Sequence, residues 1–554
     1  MLSRLPPLNA QLFSALLAVL LMALYNQPLW SLILSQPQAD GLGGTLFVAG
    51  LFLFFSALLH LLLTLFVPRV LLKPLALCAL VSAAFVSYYM HTFGVQIDKT
   101  MIRNALETDL AETRELLTPR LFVWVNLLGL LPAWVLWRLP IRHDTLWQAL
   151  KGRALGLLAS LICIGAVLIT GYQDMAGLFR NHRELRYLAV PTNYLYYGIK
   201  TLGGAYAQTN TPLQVIGKDA RVQQAPNARP RLTLVVVGET ARAESFGLDG
   251  YRRNTTPELA RRDPVYFDNT WSCGTSTAVS VPCMFSAQGQ SAFDEDQSRY
   301  TEGLLDVLAH AGIDTDWLDN NSGCKGACDR IPHASTLSFC HEEECMDETL
   351  LNALPTRETP ASGDRVIVLH QKGSHGPAYY RRYPERFEHF TPVCDTSELQ
   401  TCDPNTIVNA YDNSILYTDH VLARLIDRLH ALEDTYDTAM IYVSDHGESL
   451  GESGLFLHGM PYLLAPEQQT RVPMLVWLSK GMAEARQLDS GCLRARRHER
   501  LSHDNLFHSV LGLMAVQTTL YQPDQDLFAP CRNLSGQAST EVSTRSRSTS
   551  STRS

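Results

Sequence analysis

Five apolar runs crowd the first 172 residues of this 554-residue chain, at about 10–34, 44–67, 70–90, 121–139 and 154–172. Each approaches the roughly 20 residues a helix needs to cross the hydrocarbon core of a bilayer. In lipid, a backbone without water must satisfy its own polar groups, so such runs become helices. The first run is too long for the core of a cleavable leader and a second follows at once, which marks it as a retained span. A five-helix transmembrane bundle over 1–172 is therefore predicted.

Charge in the short loops orients the bundle. Arg4 precedes the first run, Arg69 and Lys73 lie at the second turn, and Arg138, Arg142, Lys151 and Arg153 crowd the fourth connection, whereas 36–43 holds no Lys or Arg. By the positive-inside rule the N-terminus is cytoplasmic. Five spans then put everything after Tyr172 on the outer face, together with the loop 91–120, whose mixed charges are neutral on the question.

Cysteine placement is an independent check. Of twelve cysteines, Cys78 and Cys163 lie in apolar runs and the other ten fall from Cys273 onward. Close couples stand out: Cys273 with Cys283, Cys324 with Cys328, Cys340 with Cys345, and Cys394 with Cys402, leaving Cys492 and Cys531 as a fifth. Spacing does not decide connectivity, and Cys-x3-Cys can also bind metal. Oxidised pairs agree with the outer-face placement, since disulfides persist outside the cytoplasm.

After the bundle, 173–230 reads as a linker in which Tyr194, Tyr196 and Tyr197 suit an interfacial element. Residues 231–534 form the globular domain, and the Ser/Thr/Arg tail 535–554 is too polar to bury a core and is expected to be disordered. The net charge of −8, with no basic block, leaves no electrostatic footprint for nucleic acid. In the globular part, the apolar runs 232–237, 366–369, 439–443 and 473–477 alternate with helical stretches. That is the pattern of strands covered on both faces, an α/β/α sandwich around a largely parallel sheet.

Ligands of such sheets gather beyond the carboxyl ends of strands. There the sequence places Glu239, His370 with the nearby His375, and Asp445-His446, with His458 twelve residues after His446. These carboxylates and imidazoles make a donor set zinc accepts. A further segment, Ser272-Cys273-Gly274-Thr275-Ser276-Thr277-Ala278-Val279-Ser280-Val281-Pro282-Cys283, could present a hydroxyl nucleophile activated by the metal.

Together these features closely resemble the lipid A phosphoethanolamine transferases, including the mobile colistin-resistance enzymes, of the alkaline phosphatase superfamily. The resemblance covers nearly the whole chain and rests on Gly238-Glu239-Thr240, the Cys-Gly-Thr-Ser-Thr-Ala segment, His370-Gln371-Lys372-Gly373-Ser374-His375-Gly376-Pro377 and Ser444-Asp445-His446-Gly447-Glu448. It implies a C-terminal domain of alkaline phosphatase/sulfatase type, with Glu239, Thr277, Asp445 and His446 holding one tightly bound Zn2+ and Thr277 as nucleophile. It further implies a second metal or phosphate position at His375 and His458. Substrate contacts are implied at His370, Asn321, Ser322 and Lys325, and near the ethanolamine headgroup at Asn104, Thr108 and Glu112. Val279 stands where some relatives have an aromatic residue.

The implied reaction moves phosphoethanolamine from phosphatidylethanolamine through a threonine adduct to a lipid A phosphate, in a monomeric inner-membrane enzyme whose catalytic domain is periplasmic. Kdo or heptose as acceptor, or glycerol phosphate transfer, are the alternatives on the same scaffold. A sulfatase would need Cys-x-Pro-x-Arg, which neither Cys273 nor Cys283 begins. A transporter would place ionisable groups near the bilayer midplane, where only His60 lies well inside an apolar run.

Overall fold

Strands form where the β-branched runs lie. In this computed structural model, which describes residues 6–108, 110–207, 211–223, 228–338, 340, 345–356 and 363–532, they build one eight-stranded sheet. Its strands are β1 (Arg231–Gly238), β2 (Val265–Trp271), β3 (Asp314–Asp319), β4 (His333–Ser335), β5 (Arg365–His370), β6 (Asp437–Ser444), β7 (Arg471–Leu478) and β8 (Leu501–Ser502). The spatial order is β8-β2-β7-β6-β1-β5-β3-β4. β7 runs antiparallel to both β2 and β6, while every other pairing is parallel.

The central strands β1 and β6 are buried at all eight positions, which explains why they read as unbroken apolar runs rather than alternating ones. Val235, Val237, Ile441 and Val443 pack in one core with Leu304, Leu308, Phe507 and Val510, from helices Leu304–His310 and Asp504–Leu513. Helix Pro404–His430 packs against the sheet as well. Its start is specified locally: the Asp403 carboxylate accepts from Asn405 N, and Pro404 occupies a first-turn position where no N–H is needed. Arg428 and His430 complement the dipole in its last turn. The expected α/β/α sandwich is thus the observed one.

All five expected cysteine couples are disulfides: Cys273–Cys283, Cys324–Cys328, Cys340–Cys345, Cys394–Cys402 and Cys492–Cys531. Cys78 and Cys163 are free.

The chain divides into two units: residues 1–106, 112–207 and 451–456, and residues 107–111, 208–450 and 457–554. In the first, the helices Gly41–Phe66, Arg69–Phe93, Pro119–Arg138 and Leu146–Asn181 are each long and apolar enough to cross a membrane. The first predicted span differs from a straight helix. It is a pair, Ala10–Tyr25 and Gln27–Leu34, bent by 68°. Pro28 lacks the N–H that would continue the first helix, and Asn26, fully buried, stabilises the break. Its amide donates to the carbonyls of Leu21 and Val190 and accepts from Val190 N.

The last helix begins well before the apolar run, because Thr145 and Gln148 form a reciprocal capping box at its start. The segment 91–120 contains two short helices, Lys99–Glu107 and Leu110–Leu116. Tyr194, Tyr196 and Tyr197 of the predicted linker lie on helix Thr192–Ala207. There Tyr194 shares a 2.7 Å hydrogen bond with Ser82, and Tyr197 stacks on Tyr187. The predicted disordered tail, 535–554, lies outside the described residues.

Candidate active site

Parallel register brings the acidic residues together. Gly238 of β1 pairs with Ser444 of β6, so Glu239 and Asp445 leave adjacent strands at the same level. Asp445 N donates to Gly238 O at 2.9 Å, extending the ladder by one step. Glu239, Asp445 and His446 are all fully buried.

Glu239 Oε1 and Asp445 Oδ2 have no hydrogen-bond partner although both are buried. They lie 3.3 and 3.4 Å from His446 Nε2. His446 Nδ1 is 2.9 Å from Gly447 O, and a carbonyl only accepts, so Nδ1 carries a proton and Nε2 is the ring atom that faces the carboxylates and could serve as a metal donor. One donor atom from each of the three residues falls within a 4.8 Å cluster.

Electrostatics make the same demand for positive charge. Burial and then the Glu239 charge push Asp445 up to about 7. Burial opposes a charged His446, but the Asp445 and Glu239 carboxylates outweigh it and raise the imidazole to about 10. Two buried carboxylates with orphaned oxygens and a nitrogen donor fit a divalent cation, and a mixed nitrogen and oxygen set fits zinc.

Thr277 completes the cluster. Its hydroxyl donates to Glu239 Oε2 at 3.0 Å and lies 3.4 Å from His446 Nε2. The segment 272–283 is helical from this residue onward: Ser276 is extended (φ −154°, ψ 151°), and Thr277–Met284 forms a helix. The nucleophile candidate therefore opens a helix, where unpaired backbone N–H groups favour anions. Ser276, a residue type favoured just before helices, was the available sequence signal.

Two expected histidines lie beside this centre. The His375 and His458 rings are 5.2 Å apart, and the His458 and His446 rings 4.4 Å. Asn321 Nδ2 donates to Glu239 Oε2 at 2.5 Å. Asn321, Ser322 and Lys325 line a cavity of about 560 Å³ that also takes in Arg299 and His333. Lys325 Nζ donates to Ser322 O at 3.0 Å. His370, expected at the substrate, has no exposed surface. Its Nδ1 meets Asp319 at 2.9 Å and its Nε2 lies 3.8 Å from Glu239, which places it behind the cluster. Asn104 lies on helix Lys99–Glu107, Glu112 in the first turn of Leu110–Leu116, and Thr108 between the two helices.

Two supporting carboxylates escaped the sequence reading. Asp319 accepts from His370 and Trp317 Nε1 through one oxygen and from the Asn321 and Gly323 amides through the other, so it sets both the imidazole and the Asn321 turn. Burial works against its charge, but His370 beside it lowers it to about 2. Glu448 accepts from His458 Nδ1 at 2.8 Å and Tyr379 OH at 2.6 Å, fixing the His458 ring. Glu448 lay within a quoted motif without a role, and nothing local marked Asp319.

Known proteins match along the chain. The family model described as phosphoethanolamine transferase EptA/EptB matches residues 53–206, and the sulfatase model matches 231–516. Phosphoethanolamine transferase EptA of Salmonella typhimurium is 43% identical over 477 residues, covering 83% of this chain and 86% of that protein. Phosphatidylethanolamine transferase Mcr-1 of Escherichia coli is 39% identical over 498 residues, covering 87% and 90%. Among solved structures, the integral membrane lipooligosaccharide phosphoethanolamine transferase A of Neisseria meningitidis superposes with a TM-score of 0.91 at 35% identity, covering 95% of this chain and all of that one. With the fold, the cluster at the strand ends and these similarities in agreement, the chain belongs to the phosphoethanolamine transferase family.

Proposed function

We propose that this enzyme takes phosphoethanolamine from phosphatidylethanolamine onto Thr277 and passes it to a lipid A phosphate, from a catalytic domain on the periplasmic side of the inner membrane. The observation that carries the reading is the Thr277 hydroxyl, held at the start of a helix between Glu239 and His446. The donor is supported by the name of Mcr-1, and a glycolipid acceptor by the name of the Neisseria enzyme. The outer-face placement is supported by five disulfides in the globular part and by the basic loops.

Glu239, Asp445, His446 and Thr277 would hold the zinc, which when bound lowers the pKa of the threonine hydroxyl and offsets negative charge on the phosphoryl oxygens. The chain's own groups do the rest. Glu239 Oε2 takes the hydroxyl hydrogen bond and so aims Oγ1. Asn321 donates to that same oxygen and fixes its position. Thr277 Oγ1 gives up its proton and bonds to phosphorus as the bond to diacylglycerol breaks, and the departing oxygen takes up a proton. An acceptor phosphate oxygen then bonds to the same phosphorus and the bond to Thr277 breaks, restoring the enzyme. His375 and His458, beside the cluster, are placed to supply or hold that proton. A second metal at these imidazoles is the other role their chemistry allows.

Intact-mass analysis of full-length, zinc-loaded protein given phosphatidylethanolamine tests the reading. A phosphoethanolamine adduct is expected on wild type and none on Thr277→Ala. Cells expressing wild type should gain one phosphoethanolamine on lipid A and tolerate polymyxin better, because the added ammonium weakens attraction for polycationic peptides. Full activity in Thr277→Ala overturns the nucleophile. Phospholipid consumed with lipid A unchanged overturns the acceptor.

A further inference from the structure

His503 takes no part in the chemistry described so far, yet it joins the two segments that carry it. It follows β8, whose Leu501 and Ser502 pair with Thr270 and Trp271 of β2. It is 1% exposed, and its backbone N donates to Trp271 O at 3.1 Å. Its ring makes two bonds that need opposite roles. Cys273 N, a donor only, lies 3.0 Å from Nδ1, and Ser444 O, an acceptor only, lies 2.9 Å from Nε2. Nδ1 therefore accepts, Nε2 carries the proton, and the ring is neutral. Burial favours this form.

Each bond reaches one half of the reacting pair. Cys273 is four residues before Thr277, and its carbonyl also accepts from Gln290 Nε2 at 2.9 Å. Ser444 ends β6, directly before Asp445 and His446. The two segments come from strands that are not neighbours, since β7 stands between β2 and β6. The ladders therefore relate the approach to Thr277 to the end of β6 only through β7, and the His503 ring supplies a direct link between them.

We infer that His503 is a positioning residue for phosphoryl transfer: the neutral ring, bonded to Cys273 N and Ser444 O, holds the Thr277 segment in register with the Asp445-His446 segment. The inference rests on Thr277 being the nucleophile. It goes beyond that reading in assigning the alignment to one side chain outside the cluster.

Three substitutions separate the bonds. His503→Phe keeps the ring volume and loses both. His503→Asn places an amide oxygen near Nδ1 and can keep the Cys273 bond, whereas His503→Gln places an amide nitrogen near Nε2 and can keep the Ser444 bond. Full-length enzyme is assayed with phosphatidylethanolamine for adduct formation in a single turnover, kcat and KM, zinc content and thermal unfolding. His503→Phe is expected to lower the adduct rate and kcat by about 100-fold, the effect of displacing a reacting group by about 1 Å, with zinc content and KM little changed.

His503→Asn and His503→Gln are expected to fall between wild type and His503→Phe. If His503→Phe does not fold, these two decide: a folded pair with lowered adduct rates and full zinc supports the inference. Adduct rates within twofold of wild type in the folded variants overturn it, as does a fall that only tracks loss of zinc or of fold. Absence of any adduct on wild-type Thr277 would instead remove the nucleophile reading beneath it.

Discussion

The two units of this chain are both rich in aliphatic residues and use them in opposite directions. In the α/β unit, β1 and β6 bury every residue, and polar chemistry begins where those strands end. In the helical unit, some aliphatic side chains such as Leu17 and Leu51 are buried, but many face outward: Ile169 is 85% exposed, Leu42 80% and Val70 79%. What is buried there includes polar groups such as Asn26, which joins the break between two helices to the Val190 backbone. Hydrocarbon solvates an exposed leucine as well as a protein core does, so burial has no aliphatic driving force in lipid and falls to packing and polar contacts. One hydropathy scale therefore reads differently in the two units. In one it locates the interior, and in the other it marks interior and outer surface alike.

The largest effect should come from removing the polar cluster built in the α/β unit. Asp445→Asn or Glu239→Gln, or prolonged chelation of wild type, should lower transfer by at least about 100-fold, because several kcal/mol of charge stabilisation is lost. Metal analysis of the purified variants should show zinc falling with activity. The unfolding temperature of chelated wild type should fall too, since two buried carboxylates then face each other uncompensated. Unchanged zinc in both variants would mean that the polar ends of β1 and β6 do not hold the metal.

Smaller and purely structural is the cost of trimming the core. Ile441→Ala, in the middle of β6, should destabilise by about 2–5 kcal/mol. Thermal unfolding of the full-length protein in detergent should register this as a drop on the order of 5–10 °C. The matched change on the other unit, Ile169→Ala, should cost only a few tenths of a kcal/mol, because an exposed isoleucine in lipid leaves no cavity. An equal loss for the two substitutions would break the comparison and mean that Ile169 is covered by protein.

Legibility followed the same division. Apolar runs of span length announced the helical unit, but not the 68° bend at Asn26, whose partner Val190 is 164 residues away. The strands were legible because burial on both faces leaves unbroken β-branched runs, and their polar ends exposed Glu239, Asp445 and His446 together. Antiparallel β7 was not distinguishable from its parallel neighbours, since strand direction depends on connections rather than composition. Asp319 and His503 stayed hidden for a shared reason: their partners are His370, 51 positions on, and Cys273, 230 positions back. A lone acidic or imidazole residue carries no local mark of such a contact.

The disulfides have a consequence for biogenesis. Four of the five close over 4 to 10 positions of chain, and the fifth over 39. Each of the four short bridges can form as soon as its own segment reaches an oxidising compartment, before the sheet has assembled. Correct partners are then also the nearest ones, and the number of wrong pairings open to the remaining thiols falls with every bridge made. A chain whose β8 and its following helix arrive last can therefore receive them onto a Cys273–Cys283 segment that is already closed, with only the Cys492–Cys531 bridge left to wait for the C-terminal end.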